Sequence, residues 1–173
     1  MQLTLSRIAA AVIAAASAFA ALASPAGEST QLRREAYAYY KGEGVKQDTP
    51  HALRLFEKAA RSGDAESAYD LGKIHEYGMG GARADAALAA SWYRTAAELG
   101  HRRGQFETSV AYYKGQGVAV DKAEAVKWWT LAMAPGDDYA RVVRASVESA
   151  EAKVAPEDLA EGRRRAQNWK PKR

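Results

Sequence analysis

The chain has no cysteine among its 173 residues. That absence excludes disulfides, thiolate metal ligands, a thiol nucleophile and a lipidated cysteine anchor. A chain of this kind working outside the cytoplasm is held together by packing alone. Two common site patterns are also missing. No Gly-Lys-Ser or Gly-Lys-Thr opens a helix, so there is no phosphate loop, and there is no HExxH. The three histidines, His51, His75 and His101, have no short-range pairing that would converge on a metal. The paired acids Asp137-Asp138 and Glu157-Asp158 fall where helices begin, and capping and the helix dipole account for them. The sequence therefore offers no catalytic residue, no cofactor site and no metal set.

A basic body is missing too. The formal charge is +4. Residues 24–140 carry fifteen Lys and Arg against sixteen Asp and Glu, whereas residues 141–173 carry nine against five. A near-neutral body argues against nucleic acid as a partner. The basic end, Arg163-Arg164-Arg165 with Lys170, Lys172 and Arg173, leaves room for weak contact with an anionic envelope surface or an acidic partner. No long run spans a bilayer. The apolar stretch Ile8–Leu22 is 15 residues, short of the roughly 20 required. Arg7 precedes it and Ala21-Leu22-Ala23 closes it, which is the layout of a secretory signal peptide cleaved after about Ala23. The expected division is a signal peptide over 1–23, a short linker over 24–30 and one domain over 31–170. The expected location is periplasmic or secreted.

What the chain does contain is repetition. YYKGEGVKQD, from Tyr39 to Asp48, returns as YYKGQGVAVD, from Tyr112 to Asp121. Aligned on the glycine after the tyrosine pair, Gly42, Gly78 and Gly115 lie 36 and 37 residues apart. Second glycines follow at Gly44, Gly80 and Gly117. Further on come Asp48, Asp85 and Asp121, then Ala52, Ala89 and Ala125. The pairs Leu55-Phe56, Trp92-Tyr93 and Trp128-Trp129 keep the register, as do Gly63, Gly100 and Gly136. So many registered positions mark a structural unit used three times rather than a loop with one chemical task.

Each unit reads as two helices. In the second, Ala65–Tyr77 has helical spacing and stops at Gly78, a residue type suited to a left-handed C-cap. Asp85 caps the next helix, which runs to Leu99; Asp121 serves the third unit. In the first unit the expected cap is Thr49, with Pro50 at the first helical position. Gly72 sits mid-helix at a cost of about 1 kcal/mol against Ala, which implies close helix approach. The units are bounded at about 31–66, 67–103 and 104–139. A partial fourth follows over 140–170, its helix capped by Asp137 or Asp138. Pro156-Glu157-Asp158 then opens a closing helix that ends near Trp169, as a solenoid needs to hide its last apolar face.

The pattern Tyr69, Leu71-Gly72, Gly78-x-Gly80, Asp85, Ala89, Trp92, Ala96-Ala97 and Gly100 resembles the Sel-one-like repeat, a relative of the tetratricopeptide repeat. The resemblance covers about Gln31 to Lys170. The first unit departs from it with Glu35-Ala36 for Leu-Gly, the second with His75 at the family tyrosine, and the third with Thr108-Ser109. It implies an all-α, right-handed α/α superhelical solenoid of three to four helix-turn-helix repeats with a C-terminal capping helix. It also implies a non-catalytic protein-binding scaffold. By position, first helices line the concave face of such a superhelix. That face would present Tyr37, Tyr40, Lys41, Lys73, Glu76, Tyr113 and Lys114 to a protein or peptide, with Tyr as the anchor type. The tryptophans Trp92, Trp128 and Trp129 fall at the spacing of inter-repeat core. Two other functions remain: a cell-envelope enzyme such as a hydrolase acting on cell-wall material, and an envelope adaptor using the basic end.

Overall fold

A computed structural model describes residues 25–135 and 138–172. Residues 1–24, Gly136, Asp137 and Arg173, to which the sequence assigns the signal peptide with the first linker residue, a repeat glycine, a cap and a terminal charge, lie outside the described residues. Among the described residues there are eight α-helices and one short 3-10 turn, with no strand. The helices are α1 (Pro25–Lys41), α2 (Thr49–Arg61), α3 (Ala65–Tyr77), α4 (Ala86–Glu98), α5 (Arg102–Lys114), α6 (Lys122–Ala132), α7 (Tyr139–Glu151) and α8 (Pro156–Gln167). The 3-10 turn is Met79–Gly81. The first helix begins at Pro25, so residues 25–30 extend α1 rather than forming the expected linker.

Consecutive helices pack as antiparallel pairs, α1 with α2, α3 with α4 and α5 with α6, and each pair stacks on the next. Caps set the starts. Carboxylates of Asp48, Asp64, Asp85 and Asp121 accept from the backbone N–H three residues on, at 2.7 to 2.9 Å. The first unit is therefore capped by Asp48 and not by Thr49, which is the first helical residue. Helix α5 is capped by His101, whose Nδ1 accepts from Gly104 N–H at 3.1 Å. Asp138 makes no side-chain cap on α7 and instead pairs with Arg141 at 3.3 Å.

One aromatic side chain recurs at the same place in the interior of every unit. Phe56, Tyr93 and Trp129 occupy the same repeat position and are 0%, 4% and 2% exposed. Small residues on the facing first helix, Ala36, Gly72 and Ser109, leave room for them and are themselves buried. At Gly72 the room is absolute: a Cβ there would stand 2.4 Å from the Tyr93 ring. The second glycine of each loop docks a unit on the one before it. A Cβ on Gly117 would stand 2.1 Å from the carbonyl oxygen of Ala86, at the start of α4. Gly44 has no preceding unit to meet, and open space surrounds it.

The two ends of the stack differ. On α1, Glu35 occupies the place of the fully buried Leu71 and is exposed, as are Gln31 and Arg34 beside it. A polar outer face of this kind suits a terminal repeat. At the other end, α8 takes the seat on α6, and α7 barely touches α6. Gly162 allows this seating: a Cβ there would meet Val126 at 2.4 Å and the Ala123 carbonyl at 2.5 Å. Trp169 then packs edge-on against Trp128 at 5.9 Å. The partial fourth unit is thus not a fourth hairpin in the stack, because its first helix is displaced from the stacking position.

Candidate binding groove

The displaced α7 leaves a hollow of about 490 Å³ between itself and α5, floored by Trp129 and walled by Phe106, Val110 and Tyr113. Val147, 1% exposed, anchors α7 to this apolar cluster. The indole N–H of Trp129 has no hydrogen-bond partner among the described residues. A second hollow of about 450 Å³ lies between α4 and α5, against Ala89, Ala90 and Tyr93. Glu76, Glu107, Val110 and Gln116 line both, so the two hollows adjoin along α5.

The electrostatics of this side are set by carboxylates on the first helices. Asp70 and Glu107 occupy the same position in successive units, one residue before Leu71 and Thr108. Burial pushes both carboxyls above their ordinary range. Asp70 accepts a very short hydrogen bond from the Tyr37 hydroxyl, which pulls its pKa back in part. Burial and the bond to Asp70 raise the Tyr37 phenol. Glu107 has no such donor. The neighbouring Glu76 raises it further, and Lys114 and Lys73 offset part of the shift. Glu76 itself accepts from the Tyr93 hydroxyl at 2.5 Å, and burial together with that bond raises the Tyr93 phenol.

The seven residues expected on the binding face are not brought together. Glu76, Tyr113 and Lys114 line the first hollow. Tyr37 and Tyr40 are half-buried and pack edge-on against Phe56 at 5.1 and 6.4 Å. Lys41 lies over the Tyr37 ring at 5.5 Å and pairs with Glu43 at 3.6 Å. Lys73 lies over the Tyr69 ring, 5.8 Å from its centroid. Sequence reasoning missed Glu107, Val110, the contribution of α7 through Ser146 and Ser149, and Lys153 just after it. Glu107 had a signal, since it aligns with Asp70 on the inner side of the repeat. The wall made by α7 had none, because the spacing that marks a partial fourth unit does not show that its first helix leaves the stack.

Much of the basic end is paired within the fold. Arg165 reaches Glu124 at 3.0 Å, Asp121 at 3.4 Å and Glu161 at 2.8 Å. Arg163 pairs with Glu151, Arg164 with Glu161 and Lys172 with Glu98. Arg164 and Arg165 hold the Glu161 carboxyl down to about 2. No helix among the described residues is long and apolar enough to cross a membrane.

Stacked α/α hairpins with a fixed period, a glycine-turned loop in each and a terminal cap define a helical-repeat solenoid. The chain belongs to the Sel1 repeat family, whose pattern matches residues 36–64, 65–101 and 103–134. Proteins of this family generally mediate protein–protein interaction. Two solved structures are similar. A Sel1 repeat protein from Oxalobacter formigenes is 29% identical, with a TM-score of 0.59 over 70% of this chain and 51% of that one. A protective antigen of uropathogenic Escherichia coli strains that displays an SLR fold is 26% identical, with a TM-score of 0.65 over 82% of this chain and 29% of that one. The chain thus spans about half of the first and under a third of the second.

Proposed function

We propose that this protein is an exported, non-catalytic interaction module that binds a protein or peptide segment in the groove along α5. The observation that carries this reading is the adjoining pair of hollows, about 490 and 450 Å³, on the first-helix side of the stack. They combine apolar walls with a few placed charges, which is the general character of a recognition site. Family membership supports a protein partner. The apolar run Ile8–Leu22 with its Ala21-Leu22-Ala23 end supports export to the periplasm or beyond. The readings as a cell-wall hydrolase and as a basic-end adaptor have less support: among the described residues no serine of the groove is hydrogen-bonded to a base, Ser109 donating to the Phe106 carbonyl, and Arg163, Arg164, Arg165 and Lys172 are already paired.

The test is cross-linking of the mature protein in its own envelope fraction beside a Val110→Arg variant, which fills the junction of the two hollows. A partner lost in the variant supports the groove. A partner retained by it overturns the groove and moves the site elsewhere on the solenoid.

A further inference from the structure

We infer that the segment bound in this groove presents a lysine or arginine side chain between Glu76 and Glu107, with an apolar residue beside it against Phe106, Val110 and Tyr113. The inference rests on the reading of the groove as a protein-binding surface and gives its occupant a chemistry.

The argument starts from the repeat. In successive units the same position holds Asp70 and Glu107. Asp70 is satisfied from the unit before it by Tyr37. The residue aligned with Tyr37 one unit on is Lys73, so an equivalent closure would run from Lys73 to Glu107. It is not made: the Lys73 ammonium lies over the Tyr69 ring at 5.8 Å. Among the described residues Glu107 makes no hydrogen bond and no ion pair. It is half-buried and lines both hollows. A partly desolvated carboxylate without a donor is costly, and removing one partner of a buried pair is what usually creates that state. Here the missing partner would be supplied from outside.

Glu76 makes the preference one for a cation rather than for any donor. It lines both hollows beside Glu107, and its bond from Tyr93 fills only part of the acceptor capacity of a carboxylate. Two carboxylates at one point repel an incoming acid and attract an ammonium or guanidinium, whose charge-assisted bonds are roughly twice as strong as neutral ones. The opposing cations of the first hollow, Lys114 and Lys153, belong to the last turn of α5 and to the residues after α7. Lys114 and Lys73 each offset part of the Glu107 shift but neither pairs with it, so the donor is still missing. The walls beside the acids are apolar and half-buried, which places the second side chain of the ligand against Phe106, Val110 and Tyr113.

The experiment uses the mature chain and end-capped, fluorescein-labelled nonapeptides of serine and glycine with one central pair: Arg-Leu, Glu-Leu or Arg-Gly. Fluorescence anisotropy reads each Kd. Arg-Leu is expected to bind about ten-fold or more tighter than Glu-Leu, and tighter than Arg-Gly. Glu107→Gln is expected to remove most of the Arg-over-Glu preference while remaining folded. Lys73→Met, which removes a competing cation, is expected to strengthen Arg-Leu binding. Equal affinity for Arg-Leu and Glu-Leu, abolished in both by Val110→Arg, would overturn the cation chemistry and leave the groove standing. Binding that ignores Val110→Arg, or no binding by any peptide, would overturn both. Gln116→Trp replaces Val110→Arg if that variant does not fold, since Gln116 is exposed and lines both hollows.

Discussion

The ring of Tyr93 lies directly against Gly72, with Cδ1 2.4 Å and Cε1 2.5 Å from where a Cβ on the glycine would stand. Helix α3 approaches α4 this closely only because residue 72 has no side chain. Gly72→Ala gains about 1 kcal/mol of helix propensity, but it forces a ring that is 4% exposed out of its place. Overpacking of this kind typically costs about 1–3 kcal/mol. The net expectation is a destabilised protein, read as a lower urea midpoint at unchanged slope.

Gly44 and Gly117 are the same position of the repeat with the same backbone, φ +74° and +72°. Alanine strains both equally. Only at 117 does it also meet a neighbouring unit, at the carbonyl oxygen of Ala86. Gly44→Ala is expected to cost about 1 kcal/mol. Gly117→Ala is expected to cost more by about 1–3 kcal/mol, from the displaced loop. Matched denaturation curves of the two variants check this.

Glu107 predicts a pH dependence with a definite sign. Its carboxyl is raised in the folded protein above the ordinary 4.5, first by burial and then by Glu76. The folded state therefore holds the proton more tightly than the unfolded chain, and stability falls as pH rises from 4.5 through the folded value. Above that value the full cost is present. Glu107→Gln is expected to raise the melting temperature at pH 7, and the gain is expected to close as pH drops below about 4.5. Melting curves at pH 4 and pH 7 test it. A variant that is more stable and yet binds the Arg-Leu peptide more weakly separates the two roles of this residue.

His101 joins two units through one ring. Its Nδ1 caps α5 at Gly104, and its Nε2 stands 3.0 Å from a Glu66 carboxylate oxygen on α3. With Nδ1 accepting, the ring hydrogen belongs on Nε2, where it donates to Glu66. His101→Ala removes the cap and the link and is expected to cost about 1–2 kcal/mol. His101→Asn keeps a capping oxygen and is expected to recover about half. Thermal unfolding of the pair is the measurement.

The repeat was legible because it is written locally. Glycines that stop helices, aspartates that start them and the Phe56, Tyr93, Trp129 series are each read within one unit. The Asp48 cap was misassigned to Thr49 because both residue types cap helices and they are adjacent; only backbone geometry separates them. The binding face was read from helix position in the related superhelix, and position cannot show that Tyr37 and Tyr40 are spent on Phe56 and Asp70.

By itself, the sequence determined the family, the all-helical stack, its period and its small-against-large core, because each follows from spacing that every unit repeats. Tertiary structure alone decided where the groove lies. Whether α7 or α8 sits on α6 is a competition between two helices for one surface. Gly162, Ala166 and Trp169 win that seat for α8 by fitting Val126, Ala123 and Trp128. The loser stands off as a wall, and the carboxylate of Glu107 is left facing the space between.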